Sequence, residues 1–175
     1  MRRAVPVALI ALATAGAAWA STDPPQVLVG RSVGNVRLGM TEAAVIAAYG
    51  TPTRTTRWRL AGRSGPVAIH RSPGRNLLVY LDAERVVAIE TTSARYRLAA
   101  AVGVGTITPP RPNELTFSWR GFRYDACSGA YRRSAYGAVT ELVLPFGART
   151  GRRIVAIAMA DAAHLLLLPG ASRCG

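Results

Sequence analysis

Residues 33–52 read Val33-Gly-Asn-Val-Arg-Leu-Gly-Met-Thr41, then Glu-Ala-Ala-Val-Ile-Ala-Ala-Tyr49, then Gly50-Thr-Pro52. Thr41 suits an N-cap, whose side-chain oxygen satisfies an amide that the first helical turn leaves unpaired. Met40 and Val45 fall at the two positions of a hydrophobic staple. Glu42 lies in the first turn, where the helix dipole favours negative charge. Gly50 suits the C′ position and Pro52 stops the helix. The stretch therefore predicts a helix from about 42 to 49.

Strand patterns follow the helix. Thr53–Leu60 alternates, with Thr56, Trp58 and Leu60 on one face and Arg57 and Arg59 on the other. Val67–Arg71, Asn76–Leu81 and Arg85–Thr92 are further apolar runs, the last two joined through a tight Asp82-Ala-Glu84 hairpin. The expected fold class is α+β: a short helix packed on an antiparallel four-stranded meander, followed by a second, degenerate, mostly-β module. Val102-Gly-Val-Gly-Thr106 faintly echoes Val36–Thr41, but Pro109, Pro110 and Pro112 block a second helix. In the second half, Leu115–Tyr124 reads as one strand with a bulge at Gly121. Ser128–Tyr136 reads as a polar loop, and Ala138–Pro145, Arg153–Ala160 and His164–Leu168 read as strands. The expected organisation is 21–32 an extended leader, 33–93 the helix-plus-meander module, and 94–175 the second module closed by a disulfide.

Residues 1–20 carry Arg2 and Arg3, then an apolar run, then Ala18-Trp19-Ala20, the pattern of a secretory signal peptide cleaved between Ala20 and Ser21. The apolar run is shorter than the roughly 20 residues of a membrane-spanning helix. The expected product is secreted or periplasmic, soluble, and not membrane-spanning after cleavage. With Ser21 rather than a cysteine at that junction, it is not lipid-anchored there. In an oxidising compartment Cys127 and Cys174 are expected to pair. That bridge would close a loop of about 47 residues and contribute on the order of 4 kcal/mol.

All 22 basic residues are arginine, against nine acidic ones. Without Arg2 and Arg3 the processed chain has a net charge of about +11. An anionic partner is one reading of this excess; solvated scatter is the other, since no run of five basic residues occurs. Export argues against nucleic acid. The chain is half hydrophobic, enough for a packed core.

The run Val36-Arg-Leu-Gly-Met-Thr41, a helix, and then Tyr49-Gly-Thr-Pro52 resembles the BamE/SmpA-like families, and residues 33–92 carry the resemblance. The β-lactamase-inhibitor-protein-like architecture of two helix-plus-sheet repeats is similar. The resemblance implies a non-catalytic protein that presents a sheet face to a protein partner. It transfers no binding residues, because Gly39 and Gly50-Thr-Pro52 have structural roles.

Catalytic motifs are sparse. Neither histidine has metal-ligand spacing, no nucleophile elbow occurs, and no cofactor, metal or catalytic residue is expected. A nucleophilic Cys127 with His70 or His164 as base is the weakest reading. The candidate binding residues are Trp58, Trp119, Tyr131, Arg132, Arg133 and Tyr136, because Trp, Tyr and Arg dominate interface hot spots. For the two Trp residues a core role competes; the others fall in the expected loop, where exposure is the default. The sequence thus points to a non-enzymatic, inhibitor-like or scaffold-like binder of an envelope or secreted protein. The alternative is a basic surface protein that binds anionic wall polymer or lipid headgroups. One observation discriminates: whether the sheet face is filled by the helix or lined by exposed aromatics and Arg.

Overall fold

A computed structural model describes residues 26–59, 66–72, 76–109, 118–145 and 152–171. The chain opens with three short strands, β1 (Val27–Leu28), β2 (Ser32–Val33) and β3 (Val36–Arg37), which form a small antiparallel sheet. Helix α1 (Glu42–Tyr49) follows. The Ala44 amide donates to Thr41 Oγ1, and Gly50 closes the helix at φ 83°. Then come β4 (Arg54–Arg59), β5 (Pro66–Ser72), β6 (Leu77–Asp82) and β7 (Arg85–Thr91), each antiparallel to the next.

The second half contributes β8 (Ser118–Trp119), β9 (Phe122–Asp125), β10 (Ala130–Ala135), β11 (Ala138–Val143) and β12 (Ala156–Asp161). The last strand, β12, returns to pair with β7, so one sheet of nine strands runs β4-β5-β6-β7-β12-β11-β10-β9-β8. This overturns the expected fold class. The protein is mostly β, and the four-stranded meander is one end of a continuous sheet rather than a separate helix-covered module. The reason is the apolar edge of β7: with Ile89 and Ala88 buried on opposite faces, it is completed by Met159 and Ala160 of β12.

Both faces of the sheet are covered. On the helix side, Val45 of α1 shares a core with Val79, Ile89, Leu142, Ile157 and Met159. Val27, Val33 and Val36 of the small sheet, and Leu98 and Val102 of the segment after β7, extend that cover. On the back face, β12 presents Ala156, Ala158 and Ala160, and a short 3₁₀ turn at Leu165–Leu167 lays Leu167 and Leu168 against them. Three small residues on alternate positions let this segment approach closely, and each buried leucine stabilises by about 1.5–3 kcal/mol.

Three local readings need correction. Leu115–Tyr124 is not one bulged strand. Residues 110–117 lie outside the described set, and Arg120-Gly121 is the tight turn between β8 and β9, with φ of 53° and 79°. The left-handed φ at both central residues is that of a two-residue hairpin turn. Ser128–Tyr136 is not a polar loop: Ala130–Ala135 is β10, paired on both sides. His164–Leu168 is not a buried strand but the 3₁₀ turn, with Leu165 and Leu166 exposed. The Asp82/Arg85 hairpin is as expected, with Ala83 and Glu84 both at positive φ.

Candidate functional site

On the helix-side face, α1 lies beside Leu77 and Val79 of β6. Over β8–β11 the same face carries a half-open cleft of about 480 Å³. Its floor is apolar: Val27, Leu98, Val102, Phe122 and Leu142. Its walls and rim include Leu28, Arg31, Trp119, Arg120, Arg133 and Tyr136. A volume of this size lies within the range of about 300–1,000 Å³ typical of ligand clefts.

Two hairpin turns and one clip build the rim. Arg120-Gly121 turns β8 into β9, and Tyr136-Gly137 turns β10 into β11, again with both φ values positive, 54° and 72°. The register of β9 on β10 sets the two turns at the same end of the sheet. The clip is the β1–β2 turn. Its Gly30 amide donates to Thr140 Oγ1, and Gly30 packs so tightly on the Ala135 carbonyl that no side chain fits there. This contact places the Arg31 guanidinium 3.8 Å from the Tyr136 ring centroid, a cation–π stack.

Behind the rim, Trp119 packs on Tyr131 at 5.6 Å between centroids, and Tyr124 meets Tyr131 edge-on at 5.4 Å. Tyr131 is 1% exposed, and burial foremost, with the nearby Tyr124, raises its pKa above the ordinary 10.0; Arg152 opposes the shift. Arg120 lies 5.8 Å from the Trp119 ring, and Arg133 extends across Gly121. Arg31, Arg120 and Arg133 are all exposed, and no carboxylate among the described residues pairs with any of them.

The expected binding residues therefore separate. Trp119, Arg133 and Tyr136 meet in the cleft. Tyr131 is core. Arg132 points to the back face, where its Nη1 is 2.6 Å from Asp125 and its Nε donates to the fully buried Glu141 at 2.8 Å. Trp58 is in β4 at the opposite edge of the sheet, and its side chain lies outside the described residues. Leu28, Arg31 and Arg120 complete the cleft without having been singled out in the sequence. Two of the rim positions had a readable signal, since Arg-Gly and Tyr-Gly pairs between strand-forming runs mark hairpin turns.

The Cys127 region is structural in character. Asp125 Oδ1 accepts from the Cys127 amide and Oδ2 from Ser128 Oγ. The expected partner of Cys127, Cys174, lies outside the described residues, as do the signal segment and the Ala20–Ser21 junction. His164 contacts Asp161 through Nδ1 and Asp82 through Nε2, at the sheet end away from Cys127. The two are not brought together. The His70 side chain is outside the described residues. No helix among the described residues is long and apolar enough to cross a membrane.

No protein-family model matches the chain, and no curated protein is significantly similar to it. Among solved structures, a cysteine-rich secretory protein from Staphylococcus aureus subsp. aureus Mu50 is similar at 11% identity and a TM-score of 0.48, over 73% of this chain and 46% of its own. An extracellular protein containing an SCP domain from Bacillus anthracis str. Ames is similar at 10% identity and 0.48, over 74% and 45%. The uncharacterized protein yfeY from Escherichia coli is similar at 11% identity and 0.44, over 76% and 95%. The chain spans less than half the length of the first two. Likeness at this level assigns neither a family nor an activity.

Proposed function

We propose that this chain is an exported, non-enzymatic binding protein of the cell envelope or extracellular space, and that its cleft receives a segment of a protein partner in an inhibitor-like or scaffold-like way. One observation carries the reading. Where the helix-side face is not covered by α1, it offers Trp119, Tyr136 and three arginines, none paired with a carboxylate among the described residues, around an apolar floor. That composition is the one that dominates protein–protein hot spots. The signal-peptide pattern of residues 1–20 supports export, and the BamE/SmpA-like pattern of residues 33–92 agrees with presentation of a sheet face.

The test is affinity capture with the processed protein as bait. The expected result is one envelope or secreted protein retained in stoichiometric amount, and lost with the Leu28→Ser/Tyr136→Ala variant. Repeated failure to retain a partner, together with hydrolytic activity in substrate screens, overturns the proposal.

A further inference from the structure

The charge of the cleft says what kind of segment fits it. Seven of the nine acidic residues lie in the described parts of the chain, and four of them are engaged elsewhere: Asp125 and Glu141 pair with Arg132, and Asp82 and Asp161 contact the His164 ring. The rim arginines are left facing an apolar floor. Arg31 is stacked on Tyr136 by its face, an arrangement that uses the guanidinium plane and leaves the in-plane N–H donors for a planar acceptor. Arg133 extends over Gly121, where a Cβ would already come within 3.2 Å of its Nη1, and Arg120 lies by the Trp119 ring.

We infer that the cleft recognises an extended acidic segment of the partner, with carboxylates on Arg31 and on the Arg120/Arg133 pair and an apolar side chain between them on the Phe122–Leu142 floor. This rests on the protein-binding reading above and specifies its ligand chemistry. A guanidinium takes a carboxylate in a bidentate fork, and a low-dielectric floor strengthens that pairing. Cationic side chains on the rim of an apolar floor demand both elements from the occupant. A neutral apolar segment would leave three cations against it, and a purely polar anion would leave the floor unfilled.

The probe is a phage-displayed library of random 12-residue peptides selected on the processed protein. The expected consensus places Asp or Glu on both sides of Leu, Ile or Phe. A synthetic consensus peptide should lose affinity ~10-fold for each of Arg31→Gln, Arg120→Gln and Arg133→Gln. Affinity should also fall as salt rises. Arg123→Gln, an exposed arginine on β9 outside the cleft lining, should leave it unchanged. Denaturant midpoints of all variants check that they fold. A neutral or basic consensus, or acidic peptides bound equally by the triple arginine variant, overturns the inference while leaving protein binding intact. No enriched peptide, with arginine-dependent binding of inorganic polyphosphate or phosphatidylglycerol vesicles instead, overturns both.

Discussion

The backbone amide of Gly30 donates to the side-chain oxygen of Thr140 at 2.9 Å, joining residues 110 apart in sequence. Both groups are buried, and the bond fixes the amino-terminal clip against the end of β11. Arg31 comes to lie over Tyr136 because the residue before it is held here. The clip is thus a wall of the cleft as much as a cover of the core.

Gly30→Ala should be the most damaging small substitution in the clip. Its Cβ would overlap the Ala135 carbonyl oxygen, and φ is +70°. Overpacking against backbone together with a left-handed alanine should cost about 2–4 kcal/mol. Thr140→Val should cost about 1–3 kcal/mol by leaving the Gly30 amide unpaired. Urea unfolding of each variant measures both.

Glu141 has 0% exposure and holds two donors, Arg132 Nε and the Gly170 amide. Arg132→Met strands that carboxylate and should destabilise by about 3 kcal/mol. The Arg132→Met/Glu141→Leu double variant should be more stable than Arg132→Met alone, since it removes the buried charge as well. A double-mutant cycle by denaturant unfolding decides it.

Alkaline pH should weaken the fold through Tyr131. Its pKa is raised by burial, so the unfolded chain ionises first as pH passes the ordinary value of 10.0. Its contribution is intact below that value and is lost as pH rises toward the folded-state pKa. Tyr131→Phe should flatten this alkaline loss, read as unfolding free energy against pH from 9 to about 12.

The sulfur chemistry is open to a direct measurement. The processed protein should resist alkylation until it is reduced, and a non-reducing peptide map should join the Cys127 and Cys174 peptides. Reduction should cost on the order of 4 kcal/mol in the chain-entropy model. A freely alkylatable Cys127 would restore the nucleophile reading.

Capping chemistry is local, and so α1 was legible from Thr41, Val45 and Gly50 alone. So were the partners β6 and β7, whose hairpin is set by adjacent residues. The pairing of β7 with β12 was not, because Ile89 meets Met159 only through tertiary topology. The reading of Ser128–Tyr136 failed on composition. Arg132 and Arg133 made the segment look exposed, yet strand alternation sends Arg132 to an ion network on the back face and Arg133 to the cleft. The site was half visible, since Trp119, Arg133 and Tyr136 could be named but nothing local brings Arg31 to them from across the chain.

The pairing of β7 with β12 has a consequence for how the molecule is made. Synthesis delivers β4–β7 early, while the strand that closes the outer edge of β7 is the last of the described strands. Until β12 arrives, Ala88 to Thr91 sit on an open edge, the kind that recruits foreign strands. The seam at the middle of the sheet is the most non-local strand pairing of the nine-stranded sheet and the slowest of its pairings to form. The sheet is therefore complete only once β12 has been delivered, well after the four strands it closes.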